Sequence, residues 1–269
     1  MTTRIVSAGL LTGCLLLALV ARAELVAPFV VTPQRDVERM MQLADVGPDD
    51  YLIDLGSGDG RIVIAAAQRG AAGHGVELDG NLVREATLRA EGAGVADRVA
   101  FVEQDLFRSD FSQATVLTMY LMPDVVLRLR PMLLERLAPG TRIISNSFDM
   151  GAWRPERHIS AAVSGGLYLW IVPARVDGDW HIEFEDGSEG MRLAIDQTFQ
   201  DIEPSLEAAD RGFLMEDVRL HADRIGFRGV HRLGSYLFSG RVNGDEITGT
   251  VHIREGDEVR VVGWRARRS

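Results

Sequence analysis

A glycine-rich loop is the part of the sequence whose residue types most directly suggest ligand chemistry. Gly56, Gly58 and Gly60 alternate with other residues just after a short apolar run, and Asp54 precedes them. Glycine lets the backbone approach a ligand closely, and doubly wound sheets bind cofactors at such loops. The GxGxG spacing differs from the GxGxxG that seats a pyrophosphate, and the lysine of a Walker loop is missing. The loop is therefore predicted to bind a cofactor without relying on phosphate contacts.

The charges around the loop narrow the choice of cofactor. Asp54 and Asp59 flank the glycines, and Glu77 ends the second predicted strand. This much negative charge repels phosphates and attracts a cation. S-adenosylmethionine fits, because it carries an ammonium and a sulfonium, and its two ribose hydroxyls can bond one carboxylate such as Glu77. Asp105, after the third strand, is placed to accept from the adenine amino group, whereas Asp59 either contacts the ligand or caps the following helix.

These residues need a parallel sheet to bring them together, and the first half of the chain alternates strand and helix as that fold requires. The predicted strands are 51–55, 74–78, 99–104, 114–121 and 142–148, and the predicted helices are 33–45, 61–68, 81–90 and 124–137, the last kinked or divided at Pro131. Such alternation predicts a doubly wound α/β fold. A hairpin of 157–163 with 167–172 could close the edge of this sheet.

The remainder of the chain has a different pattern. Residues 177–268 alternate apolar and polar residues between short turns, and Asn243-Gly244 is a strong hairpin signal. A small antiparallel meander or barrel is predicted there, with the acidic stretch 201–210 as a surface connection. The four tryptophans are expected to pack inside the edge hairpin and this second domain.

The motifs together resemble those of class I methyltransferases, over about residues 28–175. The matching segments are Asp54-x-Gly56-x-Gly58-x-Gly60, the acid Glu77, and Gln104-Asp105-Leu106. The resemblance implies a Rossmann-like fold that binds S-adenosylmethionine. It further implies that Asp54 and the glycines hold the methionine end, that Glu77 holds the ribose, and that Asp105 with Leu106 holds the adenine.

A closer likeness lies in residues 28–33, 54–64 and 148–153. These are similar to the family that contains the mitochondrial lysine methyltransferases of adenine nucleotide translocase and of the ATP synthase c-subunit, with its bacterial relatives. The likeness implies that a segment containing Thr32 lies over the cofactor. It also implies that the methyl acceptor is a protein lysine rather than a small molecule.

The residues after the fourth strand depart from another methyltransferase pattern. Residues 118–123 lack the Asn-Pro-Pro-Tyr that holds a planar nitrogen in many amino-group methyltransferases, which disfavours adenine or glutamine as acceptor. Tyr120 is instead a candidate to line a narrow channel for an alkyl amine.

Methyl transfer depends mainly on positioning and desolvation, so no nucleophilic side chain is needed. A lysine acceptor must first lose a proton, and the sequence identifies no base for this step.

Composition excludes several other functions. The 269 residues carry a formal net charge of −10, which argues against a nucleic-acid partner. All 29 basic residues are arginine. Cys14 is the single cysteine, and the histidines show no paired ligand spacing, so neither a metal site nor a disulfide is expected.

The N-terminus resembles a targeting segment. Arg4 precedes an apolar run over 5–20 that ends at Ala21-Arg22-Ala23, which predicts a signal peptide over 1–23 and an exported, periplasmic protein. An uncleaved anchor in the inner membrane and a lipobox at 11–14 are alternatives. Export leaves open a rival function, an exported binding or structural protein with a non-catalytic methyltransferase fold, because S-adenosylmethionine is made in the cytoplasm.

Overall fold

The structure is a computed structural model of the chain, and it describes residues 30–160, 165–208 and 211–269. The predicted leader, residues 1–23, lies outside the described residues, as do residues 28–29 of the family-like segment and residues 161–164 of the predicted hairpin. Within the described ranges, no helix combines the length and apolar character that crossing a bilayer requires.

The first half of the described chain forms a mixed sheet with helices. Its helices are α1 Gln34–Leu43, α2 Arg61–Ala67, α3 Gly80–Gly92 and α4 Pro123–Arg136. Its strands are β1 Tyr51–Leu55, β2 Ala72–Glu77, β3 Val99–Glu103, β4 Val116–Met119, β5 Arg142–Asn146, β6 Arg157–Ile159 and β7 Leu167–Ile171. The seven strands run in the order β3-β2-β1-β4-β5-β7-β6, with β1 to β5 parallel and the β6–β7 hairpin antiparallel at one edge. The predicted doubly wound fold, closed by an edge hairpin, is confirmed.

Two apolar layers cover this sheet. On one face, α1 presents Val37, Met40 and Met41 at helical spacing, and they pack with α2 against Leu52 of β1. On the other face, the buried side of α4 packs against Ile53 of β1 and its neighbours. The strand order reverses between β1 and β4, so the crevice at their carboxyl ends is where such a fold binds ligands.

Helix α4 continues through Pro131 as one helix, so the predicted alternative of a second helical piece is wrong. Pro131 removes one helical hydrogen bond, but it lies on the exposed side of the helix. Leu129 and Leu133, on either side of it, are fully buried against the sheet. The packing of these two side chains therefore holds the helix together across the proline.

The second half of the described chain is a nine-stranded antiparallel sheet. Its strands are β8 Gly178–Phe184, β9 Met191–Thr198, β10 Asp201–Ala208, β11 Arg211–Gly212, β12 Leu214–His221, β13 Arg224–His231, β14 Gly234–Asn243, β15 Glu246–Glu255 and β16 Glu258–Arg268. β10 and β12, near opposite edges, lie in contact, so the sheet curls almost into a barrel. Its interior is filled by apolar side chains, among them the buried Trp180 and Trp264.

The prediction that residues 201–210 form a surface connection is wrong. Residues 201–208 form β10, which pairs in antiparallel register with β9. Ile202, Leu206 and Ala208 are buried, and the acidic residues between them are exposed. The two-residue period of a half-buried strand was present in the sequence, but the acidic outer face concealed it.

The turn between β9 and β10 joins the two halves of the molecule. Phe199 stacks on Trp153 with ring centroids 5.9 Å apart, and the guanidinium carbon of Arg130 lies 5.5 Å from the Phe199 ring centroid. Gln200 donates to the Arg154 carbonyl at 3.0 Å. The barrel-like sheet is thus docked on the loop that follows β5.

Candidate cofactor and methyl-transfer site

The strand order places the predicted site residues in a line along the carboxyl edge of the parallel sheet. Asp105 follows β3, Glu77 ends β2, Asp54 and the glycine loop end β1, and Tyr120 follows β4. Neighbouring strands are about 5 Å apart, so the four strand ends span about 15 Å. The line is long enough for an extended nucleoside that carries an amino-acid chain. Along this edge, the residues predicted to hold the adenine, the ribose, the methionine end and the methyl acceptor follow one another in that order.

The glycine loop folds back against neighbouring elements and requires glycine at two positions. Gly56 has φ +77°, and a Cβ there would lie 2.8 Å from Cδ2 of Leu121. Gly60 has φ +78°, and a Cβ there would lie 2.6 Å from the Phe101 ring. Both are left-handed conformations that favour glycine, and at Gly60 the aromatic ring leaves no room for a side chain. The loop therefore presents bare backbone at the carboxyl end of β1.

Asp54 is a buried carboxyl group without a cationic partner among the described residues. Asp54 is only 2% exposed, and its Oδ1 accepts a hydrogen bond from the Thr118 hydroxyl at 2.7 Å. Burial raises the pKa of Asp54 from 3.8 to about 7; the Thr118 hydrogen bond opposes this rise, and the charges of Glu77 and Asp59 add to it. A cation bound beside Asp54 would stabilise its charged form.

Glu77 is held in a fixed orientation by three backbone amides. Its Oε2 accepts from Gly58 N at 2.9 Å, and its Oε1 accepts from Leu78 N at 2.7 Å and Asp79 N at 3.0 Å. These bonds tie the carboxylate to the glycine loop on one side and to the start of α3 on the other. A carboxylate has about four acceptor positions, so one position on Oε2 remains for a ribose hydroxyl.

The side chain of Asp59 contacts the start of α2, where its Oδ1 accepts from Arg61 N at 3.4 Å. It is 2% exposed, and it forms ion pairs with Arg61 and with Arg89, the latter at 2.9 Å. Burial raises its pKa, but the hydrogen bond from Arg61 and the charges of both arginines outweigh burial and leave the pKa lowered. The residue at the cap position of α2 is Gly60. Asp59 thus neutralises two arginines and leaves Asp54 and Glu77 as the acids of the cleft.

The two ends of the line differ in exposure. Asp105 is half exposed and accepts from Phe107 N at 2.9 Å, and Leu106 packs partly against the core. Tyr120 is partly buried at the end of β4, beside Leu121, which packs on the glycine loop. The adenine end is therefore open to solvent, and the predicted transfer end is more enclosed.

Thr32, the candidate that the family resemblance implies, contacts two residues that the sequence did not single out. Thr32 is 4% exposed; its hydroxyl accepts from Asn146 Nδ2 at 3.3 Å, and its carbonyl accepts from Arg61 Nη1 at 2.9 Å. Asn146 is the fully buried last residue of β5. A polar residue at the carboxyl end of an apolar parallel strand is the signal that could have identified Asn146.

The residues present suit a cationic nucleoside better than a phosphate-bearing one. Asp54 is buried with no counter-cation among the described residues, Glu77 is pre-oriented with a free acceptor position, and the loop between them carries no side chain at Gly56, Gly58 or Gly60. The doubly wound sheet with this acidic, glycine-lined edge defines an S-adenosylmethionine-dependent methyltransferase.

Comparison with known proteins agrees with this class. The model of the ANTKMT methyltransferase domain matches residues 54–157. A protein-lysine N-methyltransferase of Saccharolobus islandicus is 39% identical over 150 residues, which are 54% of this chain and 93% of that protein. The chain belongs to the ANTKMT methyltransferase domain family.

Two other relatives show how the likeness is distributed. The adenine nucleotide translocase lysine N-methyltransferase of Mus musculus is 36% identical over 152 residues, or 56% of this chain and 65% of the mouse protein. The crystal structure of an RNA methyltransferase from Salinibacter ruber, in complex with S-adenosyl-L-homocysteine, is 51% identical with a TM-score of 0.53. It covers 55% of this chain and 96% of that chain. No finding supports the non-catalytic alternative.

Proposed function

We propose that this chain transfers the methyl group of S-adenosylmethionine to the side-chain amine of a protein lysine. The observation that supports a lysine acceptor is the similarity to the Saccharolobus protein-lysine N-methyltransferase. The two sequences are 39% identical, and the match covers 93% of the Saccharolobus protein. In the proposed site, Asp54 and the glycine loop bind the methionine end, Glu77 the ribose, and Asp105 with Leu106 the adenine. Thr32 contacts the cofactor from the covering segment.

The bound cofactor supplies a methyl group already activated by its sulfonium, so the protein must mainly position the acceptor and exclude water. Tyr120 and Leu121 occupy the end of β4, beside the glycine loop. An aromatic ring there suits the aliphatic stem of a lysine and orients its amine toward the loop. Lysine must arrive as the neutral amine, so we expect activity to rise with pH.

The proposal is tested by incubating the full chain with methyl-labelled S-adenosylmethionine and separated protein, RNA and small-molecule fractions of cells. We expect the label in protein, recovered as ε-N-methyllysine after acid hydrolysis. Because all 29 basic residues of the chain are arginine, methylation of its own lysine side chains adds no background. Glu77→Ala is the matched control, and it should abolish the incorporation. Label found in another fraction alone would contradict the proposal.

RNA is the competing acceptor, because the Salinibacter structure is described as an RNA methyltransferase. The net charge of −10 disfavours it, since phosphate binding needs clustered positive charge. In the labelling experiment, ribonuclease treatment decides the matter. We expect the incorporated label to survive ribonuclease and to be lost after protease digestion.

We further propose that the chain is exported to the periplasm when its leader is cleaved, and anchored in the inner membrane otherwise. Arg4, the apolar run over 5–20 and the Ala21-Arg22-Ala23 site support the proposal. Sequencing the N-terminus of the mature protein tests cleavage, with Glu24 the expected first residue. A reporter fused to the C-terminus distinguishes a periplasmic from a cytoplasmic body.

A further inference from the structure

The segment 30–33, here called the cover segment, is fixed by two side chains that come from opposite sides of the cleft. Arg61, the first residue of α2, donates to the Thr32 carbonyl, and Asn146, the last residue of β5, donates to the Thr32 hydroxyl. In the strand order, β4 separates β1, which leads into α2, from β5. Thr32 therefore bridges the two sides of the crevice at the carboxyl ends of β1 and β4.

Arg61 couples the cover segment to the glycine loop. Its Nε donates to Asp59 Oδ1 at 2.9 Å and its Nη2 donates to Asp59 Oδ2, which is a bidentate pair. Bidentate contact fixes the plane of a guanidinium, so Nη1 is left directed at the Thr32 carbonyl. Because Asp59 lies inside the glycine loop, a change in the loop would be transmitted to Thr32 through a single side chain.

Apolar burial contributes little to the position of the cover segment before Thr32. Val30 is 56% exposed and Val31 is 45% exposed, whereas helix α1, just after the segment, is buried in the core. The Asn146 contact, at 3.3 Å, is long for an N–H···O hydrogen bond and correspondingly weak. Two polar contacts at Thr32 thus hold the segment, and losing them need not disturb the core.

We propose that Arg61 and Asn146 are positioning residues that hold the cover segment across the cofactor cleft, so that release of Thr32 sets the rate at which S-adenosylhomocysteine leaves. This inference rests on the proposed placement of the cofactor beside Asp54 and Glu77. Neither side chain is placed in contact with the reacting atoms. Their effect should therefore fall on binding and release rather than on the transfer step.

The test measures dissociation of S-adenosylhomocysteine by stopped-flow displacement in the full chain. Thr32→Val removes the hydroxyl acceptor and keeps the shape, and we expect release to be about two- to threefold faster, the effect of one weak hydrogen bond. Asn146→Ala should give a similar change, and the double variant should give no further change, because both substitutions break the same contact between Asn146 and Thr32. Asn146→Ala also removes the hydrogen bond that Ser147 Oγ donates to Asn146 Oδ1, and Ser147→Ala, which removes that bond alone, should leave release unchanged. Thr32→Ser keeps the hydroxyl and should restore slow release.

Additional measurements separate this role from a merely structural one. Amide hydrogen exchange should speed up over residues 30–36 in Thr32→Val and Asn146→Ala, with exchange in β1 and β4 unchanged. Arg61→Lys, which loses the bidentate geometry but keeps the charge, should also release the product faster. Wild-type release rates in these variants, or additive effects in the double variant, would overturn the inference. Failure of the wild-type chain to bind the ligand at all would instead refute the proposed cofactor site.

Discussion

Replacing Asp54 by asparagine should stabilise the ligand-free protein while it weakens cofactor binding. The carboxyl group is 2% exposed, and its pKa is raised from 3.8 to about 7, chiefly by burial. The introduced amide would keep an oxygen to accept from the Thr118 hydroxyl, so the substitution removes the charge and little else. A rise of about three pKa units corresponds to roughly 4 kcal/mol of folding free energy, an upper limit.

The sign of this effect depends on pH in a defined way. Because the folded-state pKa is raised, the protonated form favours folding, and the contribution of Asp54 is full below about pH 4 and lost as the pH rises to about 7. Asp54→Asn should therefore match the wild type near pH 4 and exceed its unfolding free energy by up to about 4 kcal/mol at pH 8. Urea denaturation of both proteins across this range measures the difference.

Asp59→Asn is the matched control, because Asp59 is equally buried but paired with Arg61 and Arg89. Its pKa is lowered, so its charge stabilises the fold, and the substitution should destabilise the protein by about 1–3 kcal/mol at neutral pH.

Calorimetry should also show that the affinity of the wild type for S-adenosylmethionine rises roughly 30-fold between pH 5.5 and 8, whereas the affinity of Asp54→Asn stays flat over this range. A less stable Asp54→Asn protein at pH 8, or an unchanged affinity, would refute the reasoning.

Other substitutions test the site and the fold. Glu77→Gln should weaken S-adenosylmethionine binding by about 10- to 100-fold in calorimetry, since a charge-assisted hydrogen bond is lost; unchanged affinity would place the ribose elsewhere. Gly60→Ala should lower the unfolding free energy by about 2–5 kcal/mol, because strain and a clash with Phe101 add. Gly94→Ala, at φ +72° with nothing within 4 Å, should lower it by only about 1 kcal/mol; equal losses would contradict this account. Phe199→Ala should weaken docking of the barrel-like sheet by about 1–2 kcal/mol, seen as two separate transitions in scanning calorimetry rather than one.

The parts of the site that sequence predicts are those encoded locally. Asp54 and the glycines lie within seven residues of one another, and Glu77 and Asp105 each follow a short apolar run. Strand alternation therefore places all of them at one edge of a parallel sheet before any contact is known. The fold class of both halves followed from the same periodicities.

The contacts that sequence reasoning missed join residues far apart in the chain. Thr118 bonds Asp54 across 64 positions, and Asn146 bonds Thr32 across 114. Pattern reasoning carries no information about which polar side chains meet over such separations. Strand β10 is hidden from pattern reasoning for a different reason, because its acidic outward face makes the segment resemble a surface loop.

Isothermal titration calorimetry tests the central claim most directly. The full chain is titrated with S-adenosylmethionine, in parallel for the wild type and Glu77→Ala. The claim is that the acidic, glycine-lined edge at β1 and β2 holds the cofactor. The account predicts saturable one-to-one binding by the wild type and no measurable heat from the variant. Equal binding by both proteins, or none by the wild type, would contradict it.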